Sequence, residues 1–250
     1  MTHARNRPYL SIILPTYNEA QNIVDLIREL KRTVKVPNEI IVVDDNSPDG
    51  TSKLVNDYIR QYKRQRVRIE IRLKDKGLTN SISRGIQLAR GQIVAWMDCD
   101  FSMPPRVINT LMAKLEEGYD IAAGSRFIPG GQTKRLIAHK KDSVVAILFS
   151  SLLNLCIRLL LGSWFHDYTS GFVVVRKQVF DALTLRGNYG EYFIDFIYRA
   201  HSASFRIAEV PYVCLPRRKG ESKTSGSIWK LLRLGIQYLT MTIRVRLGIS

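Results

Sequence analysis

Gly91-Gln92-Ile93-Val94-Ala95-Trp96-Met97, running into Asp98-Cys99-Asp100, is the stretch on which the fold turns. A run that short and apolar reads as a buried strand. The two carboxylates, one residue apart, then fall where the chain leaves the sheet, the end at which open α/β sheets bind ligands. Two hard oxygen ligands there suit Mg²⁺ or Mn²⁺, held jointly by a few carboxylates and by substrate phosphates. Two acids at a strand end also make an ordinary solvated turn, so the rest of the chain has to decide.

Upstream, Tyr9-Leu10-Ser11-Ile12-Ile13-Leu14 reads as a strand closed by Pro15. Asn18 or Glu19 starts a helix with Ile23, Leu26, Ile27 and Leu30 on one face. Glu39-Ile40-Ile41-Val42-Val43 is a second buried strand, ending in Asp44-Asp45-Asn46-Ser47-Pro48-Asp49-Gly50, which is dense in turn formers and acids. A helix through Leu54, Val55, Tyr58 and Ile59 follows, then a strand at 67–73 and a helix near 80–89. Strand and helix alternate three times before Asp98, which predicts an α/β fold with a mostly parallel, doubly wound sheet. No Gly-x-Gly-x-x-Gly follows the first strand, so the dinucleotide fingerprint is missing.

At 250 residues and 45% hydrophobic, the chain can bury a full core, as one domain with appendages. The net charge of +16 is unevenly placed: residues 1–125 carry 19 basic and 15 acidic side chains, residues 126–250 carry 19 and 7. Such an excess marks a polyanionic partner, nucleic acid or an anionic membrane face. Cys99, Cys156 and Cys214 are odd in number and widely spaced, with no Cys-x-x-Cys pair, which points to a reducing, cytosolic setting. The apolar run at 9–14 is too short for a signal peptide.

The second half changes character. A basic group (Lys134, Arg135, His139, Lys140, Lys141) precedes the apolar segment 144–161, whose 18 residues span about 27 Å as a helix. Ser150, Asn154 and Arg158 form one polar stripe along it, which suits a helix lying in a membrane interface; an ordinary helix with one core face is the alternative. Over 228–247, Lys230, Arg233, Gln237, Thr240 and Arg244 recur at near-helical spacing opposite Trp229, Leu232, Ile236, Leu239, Ile243 and Leu247. A basic amphipathic helix with an indole near its start is the form of an in-plane membrane anchor. Two such helices favour a membrane surface over nucleic acid as the partner.

Five motifs occur in order: Pro15-Thr16-Tyr17-Asn18-Glu19; Val43-Asp44-Asp45-Asn46-Ser47-Pro48-Asp49-Gly50-Thr51; Asp98-Cys99-Asp100 with Pro104-Pro105; Gly124-Ser125-Arg126-Phe127; and Gly220-Glu221-Ser222-Lys223. Over residues 8–225 the chain resembles the family 2 inverting glycosyltransferases of the GT-A fold. Within them it is similar to the dolichol-phosphate mannose synthase branch of polyprenyl-phosphate glycosyltransferases.

The resemblance implies a nucleotide pocket lined by Pro15, Tyr17 and Glu19, with Val43 and Asp45 near the base. It implies a metal held by Asp98 and Asp100, with Asp98 also facing the donor nucleotide, and an acceptor-phosphate arginine at Arg126 with Lys140 and Ser143 nearby. Arg217 and Lys223 match a basic loop over the phosphates, and Asp100, Arg126 and Arg217 would carry catalysis. Asp44, Asp45 and Asp49 can instead simply shape a turn, the preferred reading for Asp49. Three departures from the family pattern concern the donor: Ser102 stands where Gln is usual near the metal, Val173 where Arg is frequent, and Met103 where His commonly precedes the proline pair.

A lipid phosphate is already ionised, so it needs cationic positioning rather than a general base. The expected reaction is therefore transfer of a hexose, mannose from GDP-mannose, onto a polyprenyl monophosphate. Inversion, Mg²⁺ or Mn²⁺, and the cytosolic membrane face complete the expectation. The expected division is a catalytic domain over 1–225 and a juxtamembrane helix over 226–250, with a transmembrane segment or partner conceivable beyond it. Rivals are a UDP-glucose-dependent enzyme, a transferase acting on a polysaccharide hydroxyl, and a basic nucleic-acid-binding protein.

Overall fold

The period of two that defines a strand is plain in β1 (Leu10–Thr16): Leu10, Ile12 and Leu14 face one side of the sheet and Ile13 the other, all fully buried. Burying each such side chain contributes roughly 1.5–3 kcal/mol. The computed structural model describes residues 8–133, 141–220 and 228–249, the side chains of 64, 141–147, 228 and 230 excepted. Strands β2 (Asn38–Asp44), β3 (Val67–Ile71) and β4 (Ile93–Trp96) join β1 in parallel, in the spatial order β3-β2-β1-β4. The crossovers are helices α1 (Ile23–Thr33), α2 (Thr51–Gln61) and α3 (Leu78–Leu88). Helix α3 rides directly on β1, since a Cβ on its Gly85 would lie 2.4 Å from Cγ2 of Ile13. Helix α4 (Val107–Glu116) leads to β5 (Ile121–Ser125) and the short β6 (Gln132–Thr133).

The remaining elements are α5 (Lys141–Leu161), β7 (Val173–Arg176), α6 (Val179–Ala182), α7 (Tyr192–Ser202), β8 (Ile207–Pro211), β9 (Val213–Cys214) and α8 (Ile228–Arg246). The seven-stranded sheet has the order β3-β2-β1-β4-β7-β5-β8. It is mixed: β7 runs antiparallel to both β4 and β5, while β5 and β8 are parallel. This reversal positions the site. An antiparallel strand begins where its neighbours end, so the loop before β7 lies beside the carboxyl ends of β4 and β5. A separate pairing of β6 with β9 steers the chain after Cys214 back toward the same rim.

Both sheet faces are covered. On one, α1, α2 and α4 pack Leu26, Leu30, Val55, Ile108 and Leu111 onto Ile12, Ile40 and Val42. On the other, α3, α5 and α7 bring Ile82, Ile86, Ile157, Phe193 and Phe196 onto Ile13, Ile41 and Val94.

Helix α5 corrects one expectation. Its polar stripe turns inward: Asn154 is buried, donating through Nδ2 to His166 O (2.6 Å) and accepting the Tyr168 amide at Oδ1 (3.0 Å). Ser150 and Arg158 are half-buried. An amide side chain that satisfies buried backbone groups is worth more there than in water. The face turned outward is instead Leu148, Leu152, Leu155 and Leu159. Helix α8 packs along α5 and α7, and it exposes Trp229, Leu232, Ile236 and Ile243, with Leu247 exposed just after it. No helix among the described residues is long and apolar enough to cross a membrane.

Candidate active site

The rim of β1 and β2 is held by three acids, Asp44 and Asp45 buried and Asp49 exposed. Asp44 accepts from Thr16 Oγ1 (2.8 Å), Ser47 Oγ (2.5 Å) and the Ser47 amide (2.9 Å), tying the two strand ends together. Asp49 accepts the amides of Ala20 (2.9 Å) and Thr51 (3.0 Å), together with the Thr51 hydroxyl (2.6 Å). Both shape the loop. Asp45 turns the other way, accepting from Arg72 Nη1 (3.0 Å), Ser81 Oγ (2.8 Å) and the Gly77 amide (2.7 Å). Its carboxylate thus anchors the β3–α3 connection, leaving limited capacity for a nucleotide. Val43 is fully buried among Ile13 and Ile41, so its side chain belongs to the core. Pro15 is half-buried, and Tyr17 is exposed.

Between β1 and β4 the charges gather around Arg217. Its Nη1 donates to Glu19 Oε1 (3.1 Å), and its Nε lies 3.2 Å from Asp100 Oδ2. Glu19 and Asp100 are both buried. Burial opposes the charge on Arg217, but Asp100, Glu19 and Asp98 outweigh it and raise its pKa above the ordinary arginine value. Backbone bonds hold the segment in place: the Leu215 amide donates to Ser102 O (2.9 Å) and the Arg218 amide to Asp100 O (3.0 Å). Asn22 Nδ2 adds a bond to Lys219 O (3.1 Å). The segment following β9 therefore lies across the rim, clamped to the turns after β1 and β4.

The turn after β4 has the features of a cation site. Asp98 is exposed while Asp100 is buried, and Asp100 Oδ1 accepts the Ser102 amide at 2.9 Å. Phe101, between Asp100 and Ser102, adopts φ 65°, a left-handed conformation that costs an aromatic residue about 1–2 kcal/mol, and Arg218 lies 5.0 Å over its ring. The Oγ of Ser102 is buried and has no hydrogen-bond partner among the described residues. An orphaned hydroxyl beside two carboxylates fits a hard divalent cation. Among the described residues no cluster of three His, Cys, Asp or Glu forms here, so a cation would complete its shell with substrate phosphates.

Arg126, just beyond β5, meets the loop that precedes β7. Its Nε and Nη2 grip Asp167 Oδ2 and Oδ1 at 2.8 and 2.7 Å, its amide adds a third bond at 2.9 Å, and Nη2 also donates to Thr169 Oγ1 at 2.7 Å. The side chain of Arg126 is 12% exposed and that of Asp167 is 0% exposed. This bidentate fork leaves Nη1, which has no hydrogen-bond partner among the described residues, for an outside anion. Burial would neutralise the guanidinium, yet Asp167 holds it charged far above the ordinary range.

Tyr189 lies in the field of the same carboxylates. Burial and then Asp98 push its phenol up to about 12, with Arg217 pulling the other way. The two acids that follow are engaged in structure. Glu191 accepts the amides of Asn188 (2.8 Å) and Tyr189 (3.2 Å), and Asp195 is paired with Arg199 Nε at 2.9 Å.

The fold thus brings Glu19, Asp98, Asp100, Ser102, Arg126 and Arg217 to one rim. Lys140 and Lys223 lie outside the described residues, as does the side chain of Ser143. Asp167 and Thr169 were missed as the clamp on Arg126, although an acid in an otherwise apolar and aromatic run was a signal. Arg72 and Ser81 as partners of Asp45, and Tyr189 beside Asp98, left no local signal.

Residues 11–184 match Glycosyl transferase family 2. The chain is 33% identical over 227 residues to the dolichol-phosphate mannosyltransferase of Pyrococcus furiosus, covering 90% of this chain but 62% of that protein. It is likewise 33% identical over 222 residues to the polyprenol monophosphomannose synthase of Mycolicibacterium smegmatis, covering 86% of this chain and 81% of that one. In fold it resembles glucosyl-3-phosphoglycerate synthase of Mycobacterium tuberculosis, solved with Mn²⁺, UDP and product, with a TM-score of 0.69 and 19% identity over 98% of this chain and 82% of that one. A rim of acids and arginines on a mixed GT-A sheet and a match over most of the length agree: this chain is a glycosyltransferase, a member of glycosyl transferase family 2.

Proposed function

We propose that the enzyme transfers mannose from GDP-mannose to a polyprenyl monophosphate, with inversion, at the cytosolic face of a membrane. The observation that carries this reading is the pairing of acids and bases at the rim. A hydroxyl acceptor needs a carboxylate to take its proton. Here Glu191 is bound to two backbone amides and Asp195 to Arg199. A phosphate acceptor needs no proton removed, only cations that offset its repulsion from the donor diphosphate. Arg126, preset by Asp167, and Arg217, reaching over Asp100, are such cations.

In this reading Arg126 orients the acceptor oxygen toward the anomeric carbon, from the side opposite the leaving diphosphate. Arg217 leaves Glu19 and Asp100 to follow the negative charge as it builds on the leaving group. Asp98, Asp100 and Ser102 would hold Mg²⁺ or Mn²⁺, which when bound supplies charge neutralisation at the diphosphate. The names of the two relatives support the mannosyl donor and the lipid acceptor. The exposed leucines of α5 and the exposed apolar residues of α8, flanked by Arg233, Arg244 and Arg246, suit an anionic bilayer surface. Helices cover both faces of the sheet, which leaves no open sheet platform of the kind that stacks single-stranded bases.

The test is a panel of nucleotide sugars, each supplied with a polyprenyl phosphate and Mg²⁺ or Mn²⁺. GDP-mannose should give a lipid-linked β-mannosyl phosphate. Preferential use of UDP-glucose overturns the donor, and transfer only to sugar hydroxyls overturns the acceptor.

A further inference from the structure

Helix α8 meets the turn before α7 through the phenol of Tyr238. A Cβ on Gly190 would lie 1.8 Å from the hydroxyl oxygen of Tyr238 and 3.0 Å from its Cζ, so the phenol of α8 rests on the bare backbone just before Glu191. About one turn earlier, a Cβ on Gly235 would lie 2.6 Å from Cζ of Phe149 on α5. A side chain at either glycine would force the facing aromatic ring, or the helix that carries it, to shift. Two close approaches therefore set the depth of α8, and with it the place of the Tyr238 oxygen.

That oxygen is within electrostatic reach of both halves of the site. Burial, then Tyr189 and Glu191, raise the phenol's pKa, with Asp98 acting in the same direction and Arg126 opposing. It therefore stays protonated and donates. Among the described residues no hydrogen bond uses the hydroxyl; the only bond recorded for Tyr238 beyond the helix ladder is from Thr242 Oγ1 to its carbonyl, at 2.8 Å. Arg126 meanwhile commits Nε and Nη2 to Asp167 and Thr169. A phosphate monoester has three terminal oxygens and takes more donors than the Nη1 that remains.

We propose that the Tyr238 hydroxyl donates a hydrogen bond to a terminal oxygen of the acceptor phosphate, so that the helix facing the membrane also completes the substrate site. The proposal rests on the polyprenyl-phosphate reading above. It makes acceptor binding sensitive to the seating of α8, because the same helix carries the exposed Trp229, Leu232 and Ile236.

The test is calorimetric binding of farnesyl phosphate to the full chain without vesicles, which removes membrane anchoring from the measurement. Tyr238→Phe keeps the ring over Gly190 and deletes only the donor. Its Kd for farnesyl phosphate should weaken about tenfold, the effect of one lost hydrogen bond to a charged group. Melting temperature and the Kd for GDP with Mg²⁺ should hold, and Tyr238→Gln, which restores a donor, should recover part of the affinity. Unchanged farnesyl phosphate binding overturns the proposal. A loss that appears in nucleotide affinity assigns the hydroxyl to the donor diphosphate and equally overturns it. A loss seen only with long-chain lipid in vesicles reduces Tyr238 to part of the anchor. If the unmodified protein binds nucleotide sugar but no prenyl phosphate, the acceptor reading fails first and the proposal with it, an outcome read without any variant.

Discussion

Removing Asp167 should be among the most damaging single changes to this protein, and its size can be worked from the clamp. Asp167 is fully buried and accepts three bonds from Arg126, which is itself 12% exposed. Asp167→Ala leaves a buried guanidinium without its counter-charge, a loss of about 3–5 kcal/mol. For a domain of this size each kcal/mol moves the melting point by about 2–4 °C, so a fall of roughly 6–20 °C follows. Asp167→Asn keeps the shape but sets an amide N–H against a guanidinium N–H, so it should lie between wild type and Asp167→Ala. Because the pair is buried, 1 M salt should not narrow the gap. The decisive arm is the double variant Arg126→Met/Asp167→Leu, which removes both charges and should be more stable than either single substitution. Scanning calorimetry of wild type, the two Asp167 variants, the double variant and its two component single substitutions reads all of this. An Asp167→Ala melt within about 2 °C of wild type, or a double variant no better than the singles, refutes the view that Asp167 holds Arg126 in place.

Three further predictions concern other parts of the molecule. Arg217 occupies Asp100 at 3.2 Å, so Arg217→Gln should tighten Mn²⁺ binding about tenfold without nucleotide, read by electron paramagnetic resonance, while transfer falls; Asp100→Ala should abolish both, and unchanged Mn²⁺ affinity in Arg217→Gln disproves the competition. Trp229, Leu232 and Ile236 are exposed, so replacing all three by Ser should leave melting unchanged yet reduce flotation with anionic vesicles; equal flotation counts against α8 as an anchor. Lys31 is pushed down to about 8 by burial and then by Arg66, with Glu39 opposing. Its folded pKa lies below its unfolded value, so the unfolded chain holds more protons between the two and wild-type stability rises as pH climbs from 8 to 10.5. Lys31→Met should therefore be more stable than wild type at pH 7, with the advantage shrinking by pH 9.5; a constant difference in denaturation midpoints argues against the shift.

The strands from Leu10 to Trp96 and the helices between them were legible because periodicity is local: Ile12 and Ile13 face opposite sides whatever lies beyond them. The carboxylates after β4 were legible for the same reason, since leaving a parallel strand fixes the end of the sheet at which they emerge. What a side chain does with its charge was not. Asp44, Asp45 and Asp49 look alike in sequence, yet Asp45 alone turns toward Arg72 and Ser81, 27 and 36 residues away. The stripe of Ser150, Asn154 and Arg158 was visible, but its direction was not, because a helix shows two faces and only packing decides which is inside. Asn154 turned inward because backbone groups at His166 and Tyr168 needed partners. The antiparallel entry of β7 sets Asp167 against Arg126 across 41 residues, and the bare backbone of Gly190 admits a phenol from 48 residues downstream. Sequence alone determined which residues could do chemistry and at which end of the sheet they gather. Their pairing was decided in three dimensions, because long-range register and close approach are properties of the packed chain and of no local segment.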